Sequence, residues 1–202
     1  VVSFRLQEIF DNVRRDFGGR AASKGIRLHV VPTQAVIRSD PLLLERIVRN
    51  LAANAVNYTS HGGVVIGVRR HRGRLRIEVW DSGPGIPAVE QQRIFEEFYQ
   101  IANPERDRSK GLGLGLAIVK RLSDLLGHPV EVRSEAGHGA RFCITVPRGV
   151  MRHSEPQDTA VPALGRLDGS AQRLVVLIED ERIIREATQT LLSDWGCQVI
   201  AS

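Results

Sequence analysis

The sequence predicts an α/β protein with a main domain and a smaller C-terminal piece, and three patterns carry that prediction. Segments with apolar residues at helical spacing alternate with short segments of apolar-polar alternation. Two of the alternating segments flank a glycine-containing turn, as in a β-hairpin. A continuous apolar segment near the C-terminus is typical of a strand in a parallel sheet. The 202 residues, 42% of them hydrophobic and 25% charged, suit one ordinary domain plus a smaller one.

The individual elements follow from periodicity and from residues that begin or end helices. Asp40 has the chemistry of a helix N-cap, and Pro41 suits the first helical turn that follows it. Gly127 follows an apolar helical pattern and indicates its end. Residues 101–115 carry many charges with little periodicity and read as a loop. We predict helices over residues 6–17, 41–59, 89–98 and 117–126, and strands over residues 26–31, 35–37, 64–70, 74–80, 130–134 and 140–146.

The helix after Asp40 carries two stripes. Its apolar stripe comprises Leu44, Ile47, Val48, Leu51, Ala52 and Ala55. Its polar stripe comprises Asn50, Asn54, Asn57 and Tyr58. Asparagine is a mediocre helix former, so its accumulation does not serve helix stability. Because amide oxygens on a rigid helix can ligate a hard cation that also holds phosphates, the pattern indicates a magnesium-nucleotide platform.

A carboxylate and two glycines follow the second hairpin strand. Asp81 can accept a hydrogen bond from the exocyclic amine of adenine, whereas the carbonyl of guanine would cost ~1–3 kcal/mol there. Gly83 and Gly85 let the backbone approach a flat ring. In isolation the motif is better explained as an ordinary Asp-Ser-Gly turn. A dinucleotide-binding interpretation matches the glycine spacing, but the polar residues after Pro87 do not form the helix it needs.

A second glycine-rich segment precedes the helix predicted from residue 117. Its glycines are Gly111, Gly113 and Gly115, and backbone N–H groups at such a helix start can face an anion. The cations just upstream are Arg106, Arg108 and Lys110. The segment is not a P-loop, because no Gly-Lys-Ser/Thr follows. Taken alone, it is equally a flexible hinge beside a solvated basic loop.

Composition excludes several classes of protein. The net charge is +5, but the arginines are spread along the sequence and aromatic residues make up 5%, so we expect no nucleic-acid partner. No apolar run approaches the ~20 residues of a membrane span, and no secretory signal is visible, so we expect no direct membrane contact. Cys143 and Cys197 lie in apolar segments and suit buried reduced thiols, which indicates a cytoplasmic compartment. A start at Val1 without methionine suggests a fragment of a longer protein.

The C-terminal quarter of the chain differs from the rest. Residues 148–172 contain prolines, glycines and polar residues without lasting periodicity, which is typical of a linker. An apolar strand over residues 174–178 follows, then a helix over 182–193 and a second strand from 197. Glu179 and Asp180 follow the first strand, where clustered carboxylates suit magnesium in an open α/β sheet. An acidic helix cap explains the same two residues equally well.

The order of these motifs resembles the ATP-binding catalytic domain of sensor histidine kinases, within the superfamily of gyrase-type, heat-shock-chaperone and mismatch-repair ATPases. The resemblance covers roughly residues 4–147 and implies a catalytic domain over residues 1–147. The implied fold is a two-layer α/β sandwich of the Bergerat type, a mixed sheet with helices on one face. The resemblance implies ATP and Mg²⁺ as ligands. Residues 173–202 resemble the start of a response-regulator receiver domain, a truncated βαβ fragment with Glu179 and Asp180 as its acidic pair. Residues 148–172 would join the two.

The resemblance also implies roles for individual residues. Asn54 would ligate magnesium, Asp81 would bind adenine, and Tyr58 would lie against the base. Asn50, Asn54 and Lys110 would form the catalytic set. The remaining nucleotide-binding set is Gly83, Gly85, Ile86, Phe98, Arg106, Arg108, Lys110, Gly111, Leu112, Gly113, Leu114 and Gly115. Phe95 and Phe98 match the aromatic residues at the base of the ATP lid, and Gly137 and Gly139 match a structural turn.

Two positions depart from relatives in the superfamily. Asn50 stands where hydrolysing members carry a glutamate that activates water, and an amide cannot act as a general base. The resemblance therefore implies phosphoryl transfer to a protein histidine. Many kinases carry lysine or arginine at the position of Asn57, so a cation that would contact the phosphates is missing there. Arg106, Arg108 or Lys110 would supply the missing cation.

The expected partners follow from the same resemblance. None of the six histidines precedes an acidic residue, as the phosphorylated histidine of the family does. We therefore expect the phosphoacceptor and dimerisation domain elsewhere in the same protein, with a receiver domain or response regulator as the next partner. The parent protein could be membrane-anchored through other segments. A hydrolysing ATPase and a degenerate, non-catalytic interaction module stay open as alternatives.

Overall fold

The computed structural model describes residues 1–101, 112–150, 174–177, 189–190, 193 and 198–201. The chain forms two compact units, Val1–Arg152 and His153–Ser202. The first unit contains, in chain order, β1 (Val2–Arg5), α1 (Leu6–Ser23), β2 (Arg27–Val30), β3 (Val36–Ser39), α2 (Pro41–Tyr58), β4 (Gly63–His71), β5 (Arg74–Asp81), α3 (Gly115–Leu126), β6 (Val130–Ser134) and β7 (Ala140–Val146).

A mixed five-stranded sheet with the order β2-β4-β5-β7-β6 forms one layer of the first unit. Strand β2 runs parallel to β4, and the other neighbouring strands are antiparallel. The register places Ile77 of β5 opposite Val68 of β4 and Ile144 of β7. A separate antiparallel pair, β1 and β3, lies outside this sheet. The mixed sheet predicted from the resemblance is therefore confirmed.

The helices pack on one face of the sheet, and alternation along each strand explains which side chains lie beneath them. The inner face presents Val64, Ile66, Ile77, Val79, Phe142, Ile144 and Val146, all buried. The helices contribute Leu6, Ile9, Phe10, Val13, Leu44, Ile47, Val48, Leu51 and Val119 to the same core. Burial of each large aliphatic side chain contributes about 1.5–3 kcal/mol, so this contact holds the two layers together.

Helix α2 is fixed at both ends. The Asp40 carboxylate accepts a hydrogen bond from the Leu43 N–H at 2.9 Å, and Pro41 occupies the first turn as predicted. At the other end the Lys24 ammonium donates to the carbonyls of Val56 and Asn57, each at 2.7 Å. A cation at this position satisfies carbonyls that have no partner inside the helix.

The helix predicted over residues 89–98 is wrong. The chain instead forms two short 3₁₀ turns, Ala88–Glu90 and Arg93–Phe95. The Glu96 backbone is extended, and Phe98 has φ of +62°, so no α-helix can continue through them. Two smaller differences concern β1, which the sequence did not predict, and α1, which extends to Ser23.

The second unit shows two parallel strands, β8 (Leu174–Leu177) and β9 (Gln198–Ala201), near the predicted positions. The described residues of the intervening helix prediction are Gln189, Thr190 and Ser193, which are helical. The predicted acidic pair, Glu179 and Asp180, and most of the predicted linker lie outside the described residues. So do Arg106, Arg108, Lys110 and Gly111. Within the described part of the chain, no helix has the length and apolarity needed to cross a membrane.

Candidate functional site

A cavity of about 420 Å³ opens in the first unit, between α2, the start of α3 and the ends of β5 and β7. Five residues predicted for the site line it, namely Asn54, Tyr58, Asp81, Gly85 and Ile86. Further lining comes from Ile94, Tyr99, Ile101, Leu116, Ala140 and Phe142, which the sequence analysis did not assign to the site. The cavity is therefore largely apolar, with a carboxylate and a carboxamide among its walls, as small-molecule sites generally are.

The Asp81 carboxylate has one oxygen engaged and one available. Its Oδ1 accepts hydrogen bonds from the N–H groups of Gly83, at 2.9 Å, and Ala140, at 3.3 Å. Among the described residues, none donates to Oδ2. Burial raises the pKa of Asp81 above its ordinary value, and the two N–H donors partly oppose that rise. The side chain is thus a fixed acceptor at the wall of an apolar cavity.

The loop after Asp81 approaches its neighbours so closely that glycine is required. Gly85 has φ of +71°, and a Cβ there would lie 2.0 Å from the Glu135 carbonyl oxygen. Gly139 has φ of +81°, and its Cβ would lie 2.0 Å from the Asp81 carbonyl oxygen. Gly139 was expected to be only a structural turn, but this approach places it directly against the backbone of Asp81, the predicted adenine-binding residue.

Two side chains that the sequence analysis missed hold this loop in place. The Ser134 hydroxyl accepts from the Ile86 N–H at 2.8 Å and donates to the Gly139 carbonyl at 2.6 Å. The Gln91 side chain donates to the carbonyls of Ile86 and Ser134. The bonds from Gln91 to Ser134 and from Ile86 to Ser134 join residues 43 and 48 positions apart, so no local sequence pattern could have indicated these two.

The asparagines of α2 face different surroundings. Asn54 lines the cavity, whereas Asn50 lines a separate open groove beside α1 and donates its Nδ2 to the Arg46 carbonyl at 2.8 Å. The start of α3 lies close to both. A Cβ built at Gly115 would lie 3.3 Å from Asn50 Oδ1 and 3.7 Å from Asn54 Oδ1. The predicted glycine segment and the asparagine helix therefore meet. The Asn57 side chain is exposed.

The residues fit a magnesium ion only together with a phosphate ligand. Within the described residues no group of three or more histidine, cysteine, aspartate or glutamate side chains could hold a metal ion alone. The Asn54 carboxamide has no hydrogen-bond partner among these residues, so its oxygen is available to a cation. Mg²⁺ is usually held by few protein ligands, with water and substrate phosphates completing its octahedron.

The described ends of the predicted lid meet at one hydrogen bond. The Phe98 N–H donates to the Gly113 carbonyl at 3.2 Å, and Gly113 has φ of +68° with no room for a Cβ beside Phe98. The Leu114 carbonyl then accepts the first helical bond of α3, from Ile118. Phe98 and Leu112 are exposed and do not line the cavity. Phe95 instead packs edge-on against Phe142, with ring centroids 6.5 Å apart.

Tyr99 is fixed to the cavity wall by two charged residues. Its hydroxyl donates to Glu90, and the Arg93 guanidinium lies 4.3 Å from the centre of its ring. Arg93 also approaches Glu90 at 3.7 Å. Glu90 and Arg93 lie in the segment predicted as a helix, and Tyr99 directly follows it. The 3₁₀ turns of this segment, rather than helical periodicity, bring them together.

The family model described as histidine kinase-, DNA gyrase B-, and HSP90-like ATPase matches residues 39–150, which include every described residue of the cavity wall. The chain belongs to this ATPase family. The match begins at the last residue of β3 and ends four residues beyond β7. The matched residues therefore include α2, α3 and all strands of the main sheet except β2.

Similar proteins are longer than this ATPase-family chain. Sensor histidine kinase AtsR of Burkholderia thailandensis is 32% identical over 199 residues, which is 95% of this chain and 32% of AtsR. Sensor histidine kinase RcsC of Escherichia coli is 32% identical over 147 residues, 71% of this chain and 16% of RcsC. The crystal structure of full-length ShkA in complex with AMPPNP superposes with a TM-score of 0.64 at 30% identity. The superposed region covers 100% of this chain and 40% of the ShkA chain.

Proposed function

We propose that this chain is the ATP-binding catalytic part of a sensor histidine kinase that acts in two-component signalling. The observation that carries the proposal is the Asp81 carboxylate, held by two backbone N–H groups with its second oxygen available at the cavity wall. The similarity to AtsR, RcsC and the AMPPNP complex of ShkA supports it.

Asp81 would recognise adenine, because its available oxygen can accept from the exocyclic amine. Gly83 and Gly85 would bring the backbone against the ring, with Ile86 and Tyr58 beside it. Burial raises the pKa of Asp81, and the two N–H donors oppose that rise because they favour the charged form, which accepts hydrogen bonds.

Asn54 would hold Mg²⁺ against the phosphates, and that ion would neutralise charge on the phosphoryl group in transit. The chain's own contribution is positioning. The N-terminal turn of α3 begins at Gly115, beside Asn54, and its backbone N–H groups favour anions. Lys110, Arg106, Arg108 and the glycines from Gly111 to Gly115 would add donors and charge around the phosphates. Phosphoryl transfer needs little more than such positioning and neutralisation.

The phosphoryl group would pass to a histidine on a dimerisation domain of the same protein. The Asn50 side chain is an amide whose nitrogen donates a hydrogen bond to the Arg46 carbonyl. An amide cannot act as the general base that would activate water for hydrolysis. A receiver domain or response regulator would take the group next. We propose residues 1–147 as the catalytic domain, 148–172 as a linker and 173–202 as the start of a receiver domain. In that assignment Glu179 and Asp180 are the acidic pair, and the location is cytoplasmic.

The test compares this chain with a longer one that includes the proposed phosphoacceptor domain, each incubated with γ-labelled ATP and Mg²⁺. We expect acid-labile, base-stable phosphohistidine on the longer chain and none on this one. Steady release of inorganic phosphate by this chain alone would instead support a hydrolysing ATPase. If calorimetry detected no Mg²⁺-dependent ATP binding, the chain would instead be a degenerate, non-catalytic interaction module. Asn57 suggests this alternative because it stands where many kinases carry a cation.

A further inference from the structure

The outer face of the five-stranded sheet, opposite the helices, gathers arginines that lie far apart in the sequence. Alternation along the strands directs every second residue to this face. Its arginines are Arg27, Arg69, Arg74, Arg76, Arg133 and Arg141, and its acidic residues are Glu78 and Glu131. The face therefore has a formal net charge of +4 without histidines, compared with +5 for the whole chain.

Both glutamates are already paired. Glu78 accepts from Arg69 at 2.6 Å, and Glu131 lies 3.1 Å from Arg76, which is itself buried. Within the described part of the chain, the other four arginines of the face have no carboxylate within ion-pairing distance. Uncompensated guanidinium groups on one flat face attract an acidic partner, and arginine is well suited to paired hydrogen bonds with carboxylates.

One row across the sheet places His29, two apolar residues and two arginines side by side. Trp80 lies opposite Val65 on one side and Arg141 on the other, and Arg141 lies opposite Arg133. Val65 is 42% exposed and Trp80 44% exposed, which is unusual for large apolar residues on neighbouring strands. Tryptophan and arginine are the residues most enriched among energetic centres of protein interfaces.

We propose that this sheet face is a docking surface for an acidic protein segment that places an apolar side chain against Val65 and Trp80. The geometry disfavours the other anionic partners. The Arg141 guanidinium lies 4.7 Å from the centre of the indole ring, and the indole N–H donates to Glu78 at 3.0 Å. Because the Arg141 guanidinium covers one face of the indole ring and Glu78 holds its N–H, Trp80 is poorly placed to stack on a nucleic-acid base or to insert into a lipid bilayer.

The dimensions of the face set the strength of binding. The five strands together are about 19 Å wide, and the eight residues of β5 are about 26 Å long. The face therefore has an area of roughly 500 Å². That area belongs to the small, transient class of protein interfaces, so we expect a dissociation constant in the micromolar range. Trp80 immediately precedes Asp81, so the partner would lie directly behind the adenine-binding strand.

The test uses a library of random short peptides, selected on the full 202-residue chain and then titrated by fluorescence anisotropy. We expect selected peptides rich in aspartate and glutamate with a large apolar residue. They should bind at least ten-fold more weakly to Trp80→Ala and to the double variant Arg27→Glu/Arg133→Glu. Both arginines are exposed, so the double variant should fold, and a thermal melt checks this. Arg15→Glu, an exposed charge reversal on α1, is the matched control and should bind normally.

Selected peptides without acidic excess, or equal binding by all four proteins, would overturn the proposal. The same variants are titrated with vesicles containing phosphatidylglycerol and with single-stranded DNA. Tighter binding of either ligand than of the peptides, lost in the double variant but not in Arg15→Glu, would reassign the face to a membrane or a nucleic acid. ATP binding is independent of these outcomes.

Discussion

At the scale of single residues, Asn54 separates from the other asparagines of α2 because it alone of the three lines the cavity. We expect Asn54→Ala to remove the strengthening of ATP binding by Mg²⁺, a loss of about ten-fold or ~1.4 kcal/mol. Titrations with Mg²⁺ and with a chelator measure it. Asn57→Ala, on the same helix with an exposed side chain, is the matched control and should keep the Mg²⁺ dependence. An unchanged dependence in Asn54→Ala would show that another group holds the ion.

His128 gives the fold a dependence on pH. Its ring lies buried against the Ser39 hydroxyl, at 2.8 Å, and its Nδ1 has no hydrogen-bond partner among the residues that the structure describes. Burial lowers the pKa of His128, and the nearby Arg74 charge lowers it further. Because the unfolded chain then binds a proton more readily, stability is full above the unfolded pKa of about 6.5 and falls as pH drops below it.

We therefore expect the free energy of unfolding, measured in urea, to fall between about pH 7.5 and pH 5.5, and the fall to be smaller in His128→Gln. The raised pKa of Asp81 acts in the opposite direction, since the folded state binds its proton more readily, but Asp81 is present in both proteins. The difference between the two proteins isolates His128. Equal dependence of the unfolding free energy on pH in the two proteins would show that His128 does not cause the fall.

At the scale of elements, the loop after β5 depends on close backbone approach. Gly85→Ala places a Cβ 2.0 Å from the Glu135 carbonyl oxygen, so the loop must move. Gly25 also has positive φ but no atom within 4 Å, so Gly25→Ala costs only the backbone strain of about 1 kcal/mol.

We expect Gly85→Ala to lose at least ten-fold in ATP affinity and more stability than Gly25→Ala, whose ATP affinity should not change. Calorimetry and urea unfolding on both variants measure the two effects. Equal ATP affinities in the two variants would mean that the loop does not contact the nucleotide.

How far the sequence predicted these elements depends on the range of the interactions. The Asp40 cap, the Pro41 turn and the end of α3 at Gly127 rest on neighbours in the chain, and all three were predictable. The 3₁₀ turns within residues 88–95 depend instead on hydrogen bonds from the Gln91 side chain to the carbonyls of Ile86 and Ser134. Ser134 is distant in the sequence, and the bond to Ile86 does not follow helical spacing. Tertiary contacts there override local propensity.

The site shows the same division. Asp81 and Asn54 could be identified because their motifs are local, whereas Ser134 and Gly139 reach the site through the pairing of β6 with β7. The arginines of the outer sheet face appeared spread along the sequence. Only strand register places Arg133 beside Arg141 and Arg69 beside Arg76.

At the scale of the whole molecule, the described wall of the cavity belongs entirely to the unit Val1–Arg152. We expect a chain that ends at Arg152 to fold and to bind ATP with an affinity within about two-fold of the full chain. Parallel titrations of the two chains measure this. A loss of more than ten-fold would mean that residues after Arg152 contribute to the nucleotide site.

The most direct test of the account is calorimetric titration of Mg²⁺-ATP into the wild-type chain and into Asp81→Asn. The amide oxygen can keep the two N–H bonds from Gly83 and Ala140, while its nitrogen opposes the adenine amine as donor against donor. The account predicts at least ten-fold weaker binding, ~1–3 kcal/mol, with no loss of folding stability. Equal affinities in a folded variant would contradict it.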